Sequence, residues 1–239
     1  MTDSTGPSDR KGTSPGRLAA ALHRWDIPPQ QAIGIQQKLR QMVVLEDRLD
    51  KINCVAGVDA GFEDSGKTIR AAAAVLSFPE LSLMESAVLR MPALLPYIPG
   101  LLSFREAPAI VAALEKLERL PDLLLCDGQG IAHPRRFGLA CHIGVLLDMP
   151  VIGVAKSRLT GNYEPVAREK GSFSYLTDKG ERIGMVLRSR TGVKPLFVSP
   201  GHKISFTTAM GYVMQCLTRF RLPETTRQAH RLASGKNAL

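Results

Sequence analysis

Several kinds of segment are missing from this sequence. No apolar run approaches the roughly 20 residues that a membrane-spanning helix needs, so a membrane role is not expected. The N-terminus carries no apolar signal core, which argues against secretion and for a cytoplasmic location. The four cysteines, Cys54, Cys126, Cys141 and Cys216, stand singly among apolar neighbours with no CxxC pair. A structural zinc site needs clustered thiolates or imidazoles, so buried free thiols in a reducing compartment are expected instead. There is no internal repeat. Gly128-Gln129-Gly130 matches neither GxGxxG nor a Walker loop, which speaks against dinucleotide and nucleoside triphosphate binding.

What is present is an ordinary globular composition with a charge bias. The 239 residues are 44% apolar and 22% charged, enough to close one large core. Basic residues outnumber acidic ones by 31 to 22, a net +9. Such a surplus fits a polyanionic partner through long-range attraction and counterion release, although an uninvolved basic surface gives the same number.

Along the chain, residues 1–17 hold Ser, Thr, Gly, Pro and charge with no apolar residue after Met1. Residues 1–27 are read as a disordered or weakly ordered tail and 28–239 as a single domain. Ile35, Leu39, Met42, Leu45 and Leu49 recur at three- and four-residue spacing, which predicts a helix running from Pro28. Residues 52–61 are almost wholly apolar and read as a strand buried on both faces. Two further strands, 69–78 and 81–91, meet at a turn near Pro79, giving three consecutive antiparallel strands. A proline-rich loop, 92–99, follows. Helix 106–119, strand 123–126, helix 137–148 and strand 151–155 then alternate, so the last two strands should be parallel. Strands at 182–189 and 196–199 and helices at 205–220 and 224–233 complete the pattern. This order predicts an α/β fold with a mixed sheet and helices on both faces.

A few polar residues stand out against this frame. Asp59 lies inside an apolar strand, where a carboxylate is paired, protonated, metal-bound or bonded to the strand-end backbone. Asp127 follows the apolar run Leu123–Cys126 and precedes a glycine turn, at the carboxyl end of a strand where open sheets place ligands. Glu106 follows Ser103 by three residues, the spacing of a helix capping box. Three carboxylates converging at sheet ends would repel one another without a cation, and Mg²⁺ takes such oxygen ligands. His133, beside Arg135, suits an anion contact, and His202 precedes a helix where a phosphate could meet free N–H groups. His142 reads as structural. His230 reads as a solvated helix residue.

The motifs VAGVDAGF (55–62), PYIPGLLSFRE (96–106), DGQGIAHPRRFGLACHIGV (127–145), GVAKSRL (153–159), VSPGHKIS (198–205) and LPETTRQAH (222–230) occur in the order found in endonuclease V, the deoxyinosine-directed repair nucleases. The chain resembles that family from about Pro28 to Ala233. The resemblance implies a ribonuclease H-like fold. It implies a DNA repair endonuclease, dependent on Mg²⁺ or Mn²⁺, that hydrolyses the second phosphodiester 3′ to deoxyinosine and leaves 3′-hydroxyl and 5′-phosphate ends. Some relatives prefer inosine in RNA. Asp59 and Asp127 match the family's metal-ligating aspartates and Glu106 its acidic partner. His230 falls where a further acidic or imidazole ligand occurs. Lys156 matches the lysine beside the metal, assigned to orient a carboxylate or the attacking water or to neutralise phosphate. Tyr97 matches a wedge that separates strands, stiffened by Pro96 and Pro99, with packing against Leu94, Leu95 and Ile98 as the alternative. Gly100, Leu102 and Gly128 are candidate walls of the pocket for a flipped base. A monomer is expected. Two other readings stay open: a ribonuclease H-like nuclease acting mainly on inosine RNA or branched DNA, and a non-catalytic nucleic-acid-binding module.

Overall fold

The computed structural model describes residues 22–235. Three antiparallel strands come first: β1 (Cys54–Glu63), β2 (Thr68–Ser77) and β3 (Leu83–Pro92). They are preceded by a helix, α1 (Pro29–Leu39). Helix α2 (Leu102–Leu114), strand β4 (Leu123–Cys126), helix α3 (Leu139–Leu147) and strand β5 (Val151–Ala155) alternate next. Strands β6 (Phe173–Asp178), β7 (Glu181–Leu187) and β8 (Leu196–His202) follow, then helices α4 (Phe206–Gln215) and α5 (Glu224–Ala233). Among the described residues the strands form one sheet in the order β3-β2-β1-β4-β5-β8-β7-β6. The pairs β1–β4 and β4–β5 are parallel and the others antiparallel. The expected mixed sheet with helices on both faces is therefore present.

The alternation of side chains along the central strands assigns the helices to faces. Even-numbered Ala56, Val58, Leu124 and Cys126 pack against α2 and α3 through Ile110, Val111, Ile143 and Leu146. Odd-numbered Val55, Leu123 and Leu125, with Ile152, pack under α4 through Ala209 and Val213. Gly57 and Gly61 belong to this second face. A methyl group on Gly57 would sit 2.1 Å from the Thr225 carbonyl oxygen, and one on Gly61 would sit 2.7 Å from that of Ala233. Both glycines thus let the α5 backbone rest directly on β1. Gly57→Ala is expected to destabilise the protein by about 3 kcal/mol, seen as a melting temperature roughly 6–12 °C lower, because backbone rather than a movable side chain fills the space.

Three expectations change. The helix expected to run through Leu49 ends at Leu39, and a 3-10 turn, Arg40–Met42, follows. From there the chain runs extended along the end of β8, with Lys203 N–H donating to the Val44 carbonyl (2.7 Å), so the apolar spacing reflects two different surroundings. Strand β6 has no counterpart in the sequence reading. It is an edge strand joined to β7 through Lys179 and Gly180, both at positive φ, the conformation of a tight hairpin. Of the tail, residues 1–21 lie outside the described residues, but its last stretch is packed. Trp25 meets Phe104 and His142 at ring-centroid distances of 5.8 and 4.9 Å, and His23 Nε2 lies 2.7 Å from His142 Nε2. Among the described residues no helix is long and apolar enough to cross a membrane.

Candidate active site

The parallel pairing of β1 with β4 places two carboxylates side by side. Val58 registers with Cys126, and the Asp127 N–H donates to the Val58 carbonyl (3.1 Å). The residues that follow on each strand, Asp59 and Asp127, are therefore neighbours at the carboxyl end of the parallel pair. Both carboxylates are mostly shielded, with 13% and 11% of their side-chain surface exposed. Asp59 Oδ1 accepts from the N–H of Ala60 (2.8 Å), and Oδ2 accepts from His230 Nδ1 (2.6 Å). His230 reaches it because α5 lies on the glycine face of β1. One ligand atom from each of Asp59, Asp127 and His230 falls within 4.8 Å of the others. Lys156, just past β5, pairs its ammonium with Asp127 Oδ2.

Glu106 comes from the other side of the sheet, on α2, and is 7% exposed. It finds no hydrogen bond or ion pair among the described residues. Burial, with Asp59 and Asp127 close by, pushes its carboxyl group up to about 8. Burial, followed by the charge of Asp127, also raises Asp59 above the ordinary carboxylate range, against the opposing hydrogen bond from His230. Glu106 is not a helix cap. The helix begins a turn earlier than the spacing suggested, with Leu101 at the cap position, and Ser103 instead meets His142 Nδ1 at 3.0 Å. Buried carboxylates crowded in this way favour a cation. Two carboxylates and an imidazole within one ion's reach, with a third carboxylate nearby, fit a hard divalent metal.

The proline loop stands clear of the core. Tyr97 is 64% exposed, with Pro96 and Pro99 exposed on either side. Leu95 and Ile98 turn inward against Leu101 and Phe104, so they, and not Tyr97, carry the packing. Gly100 follows at φ +79° and anchors the loop. Its carbonyl accepts from Gln36 Nε2 (3.1 Å), His133 Nε2 (3.1 Å) and Arg135 Nη2. Leu102 is partly covered at the start of α2, and Gly128 sits beside Asp127 against the Leu139 side chain.

Three residues expected at a nucleic-acid contact are engaged elsewhere. His133 is buried. Its Nδ1 accepts from the Arg135 N–H (3.2 Å) while Nε2 donates to Gly100, and burial holds its basicity down to about 4. The Arg135 guanidinium donates to Gln36 Oε1 (2.6 Å) and Gly100, holding the loop from inside. His202 pairs with Val151 at the start of β5, the sheet end opposite Lys156, and its Nδ1 accepts from the Val44 N–H (3.2 Å).

Two residues at the site went unread in the sequence. Gln36, fully buried on α1, bonds both Gly100 and Arg135. Arg221 donates to the main-chain carbonyls of Lys156 (2.8 Å), Lys194 (2.8 Å) and Pro195 (2.9 Å), fixing the chain at Lys156. A buried glutamine at a helical core position was the available signal for the first. Nothing local marked the second.

A mixed sheet of this order, with carboxylates gathered at the ends of its parallel strands, defines a ribonuclease H-like nuclease. The endonuclease V family model matches residues 37–231, and the chain belongs to that family of hydrolytic DNA repair nucleases. It is 60% identical to endonuclease V of Rippkaea orientalis over 87% of this chain and 90% of the relative. The crystal structure of endonuclease V from Streptomyces avermitilis matches with a TM-score of 0.83 at 40% identity, covering 88% of this chain and 93% of that one. Endonuclease V of Ciona intestinalis, solved with a DNA containing an inosine followed by a ribo-adenosine, matches with a TM-score of 0.74 at 29% identity over 87% and 97%.

Proposed function

We propose that this protein recognises deoxyinosine in DNA and hydrolyses the second phosphodiester on its 3′ side, with Mg²⁺ as the resident cation and Mn²⁺ able to replace it. The observation that carries this reading is the convergence of Asp59, Asp127 and His230, with Lys156 on Asp127 and Glu106 behind them. A divalent cation held by those groups supplies activated water and charge neutralisation at the phosphate. Lys156 orients Asp127 and adds positive charge beside the scissile group. Arg221 holds Lys156 in place through its main chain. The DNA held by the Ciona intestinalis relative supports an inosine-containing substrate.

Tyr97 serves as the wedge. It is exposed on a loop stiffened by two prolines and tied down at Gly100, so inserting its ring into a base stack costs little loop entropy. The base turned out of the stack enters beside Gly100, Leu102 and Gly128. Tyr97→Ala is expected to raise KM for an inosine duplex by about tenfold, a loss of roughly 1.4 kcal/mol, while the melting temperature stays within about 2 °C of wild type. A large drop in melting temperature would instead assign the ring to packing.

An end-labelled duplex with one deoxyinosine, incubated with Mg²⁺, tests the whole reading. The expected product is a nick one nucleotide beyond the lesion on its 3′ side. Intact strands, or faster cutting of a matched inosine RNA, would overturn the substrate assignment.

A further inference from the structure

The far edge of the sheet carries a second concentration of chemistry. Residues 156–194 hold nine Lys and Arg against four Asp and Glu, a net +5 out of the chain's +9. Two of the four acids, Asp178 and Glu181, are already bound to Arg136 at 2.9 and 2.8 Å. On β6, Phe173 and Tyr175 point to one face, and each is 42% exposed. Their partners on β7, Leu187 and Met185, are buried beneath α4, so β6 extends past the helix that covers its neighbours. The two rings meet edge to face at 5.7 Å, and the Arg182 guanidinium lies 3.6 Å over Tyr175.

This strip leads toward the acidic centre. Phe173 pairs with Leu187, Leu187 pairs with Leu196, and Leu196 is the residue before Phe197, the partner of Ala155. Lys156, the residue after Ala155, therefore lies in the same row across the sheet, three strand spacings or roughly 15 Å from Phe173. A second copy of this chain is a poor occupant, because it would bring like charge to a positive surface. Duplex DNA keeps its base faces stacked and offers nothing to the rings. A polyanion with uncovered bases satisfies both features, with phosphates on the cations and bases on Phe173 and on the open plane of Arg182.

We propose that Phe173, Tyr175 and Arg182 form a stacking platform for single-stranded nucleic acid, DNA or RNA, leading to or from the acidic centre. The direction of approach rests on the nuclease reading, but the binding does not.

Fluorescence anisotropy of the full chain without divalent metal, using labelled oligothymidylate and oligouridylate of about 15 nucleotides, tests the platform. Phe173→Ala/Tyr175→Ala is expected to weaken single-strand binding by about tenfold or more, the effect of losing one stacked base. Single-turnover incision of the inosine duplex with saturating enzyme is read alongside, as a report on the acidic centre and not on the platform. The two oligonucleotides distinguish DNA from RNA as the preferred strand. Arg182→Glu leaves both rings in place and should also weaken binding, which covers the case of a poorly folded double variant. Unchanged affinity in both variants would overturn the platform. So would a wild-type dimer that the double variant dissociates without changing oligonucleotide affinity. Failure of the wild type to incise would count against the nuclease reading and leave the binding result standing.

Discussion

Asp127→Ala is expected to lower incision of an inosine duplex by at least about 10³-fold, equivalent to some 4 kcal/mol of transition-state stabilisation. Three contacts disappear at once. The proposed cation site loses one of its three converging groups, Lys156 loses its ion-pair partner, and Asp59 loses the neighbouring charge that raises its pKa. The fold should tolerate the change. Asp127 lies just past the end of β4, and its N–H bond to Val58 comes from the main chain, which alanine keeps. Relief of carboxylate repulsion also favours the metal-free protein. The measurement is single-turnover incision alongside binding of the same duplex in chelator. Lost cutting with binding within a few-fold of wild type supports the assignment. Retained cutting would remove Asp127 from the metal site, and lost binding would make its role one of folding or recognition.

The sequence exposes the parts of this site unevenly, and the reasons are physical. The central strands are legible because they are buried on both faces. Their near-continuous apolar runs make a lone Asp59 or a terminal Asp127 conspicuous. The contact between them is not legible, since it follows from the register of Val58 with Cys126, 68 positions apart and fixed by the whole sheet. Glu106 shows how a local rule misleads. Ser103 and Glu106 have capping-box spacing, but α2 starts at Leu102, so both lie inside the helix and their side chains serve other elements. His230 reads as a solvated helix residue because half of its side-chain surface is exposed, and only the seating of α5 on Gly57 and Gly61 turns it to Asp59.

Polar loop residues were the least readable. His133, Arg135 and His202 have the composition of phosphate contacts, and within this chain they meet carbonyls, an amide side chain, main-chain N–H groups and the Asp148 carboxylate. A donor in a loop looks the same in sequence whether it faces a ligand or a distant backbone. Edge strand β6 escaped for a related reason. With one face of Phe173 and Tyr175 open to solvent, its pattern lacks the apolar run that marked β1, β4 and β5. Its turn, Lys179-Gly180, was the signal available.

Glu106→Gln is expected to stabilise the metal-free protein while lowering incision by about 10²-fold or more, because it removes an anion that only a cation can compensate. In the unfolded chain Glu106 ionises near 4.5, whereas burial beside Asp59 and Asp127 raises it to about 8 in the folded state. The folded protein therefore holds a proton that the unfolded chain has already lost. Stability contributed by Glu106 is fully present below about 4.5, declines as pH rises through that window, and levels off above about 8. The full shift corresponds to about 4–5 kcal/mol, and solvent relaxation around the coupled carboxylates brings the expected effect to about 2–4 kcal/mol. In chelator near pH 8, glutamine should raise the melting temperature by roughly 5–15 °C, with little gain near pH 4.5. Added Mg²⁺ should stabilise the wild type most at the alkaline end, where the cation replaces the proton, and the variant much less. Thermal melts of both proteins across this range, with and without Mg²⁺, decide the matter. A variant less stable than wild type in chelator near pH 8 would show that the buried carboxylate is held by its surroundings and is not waiting for a metal.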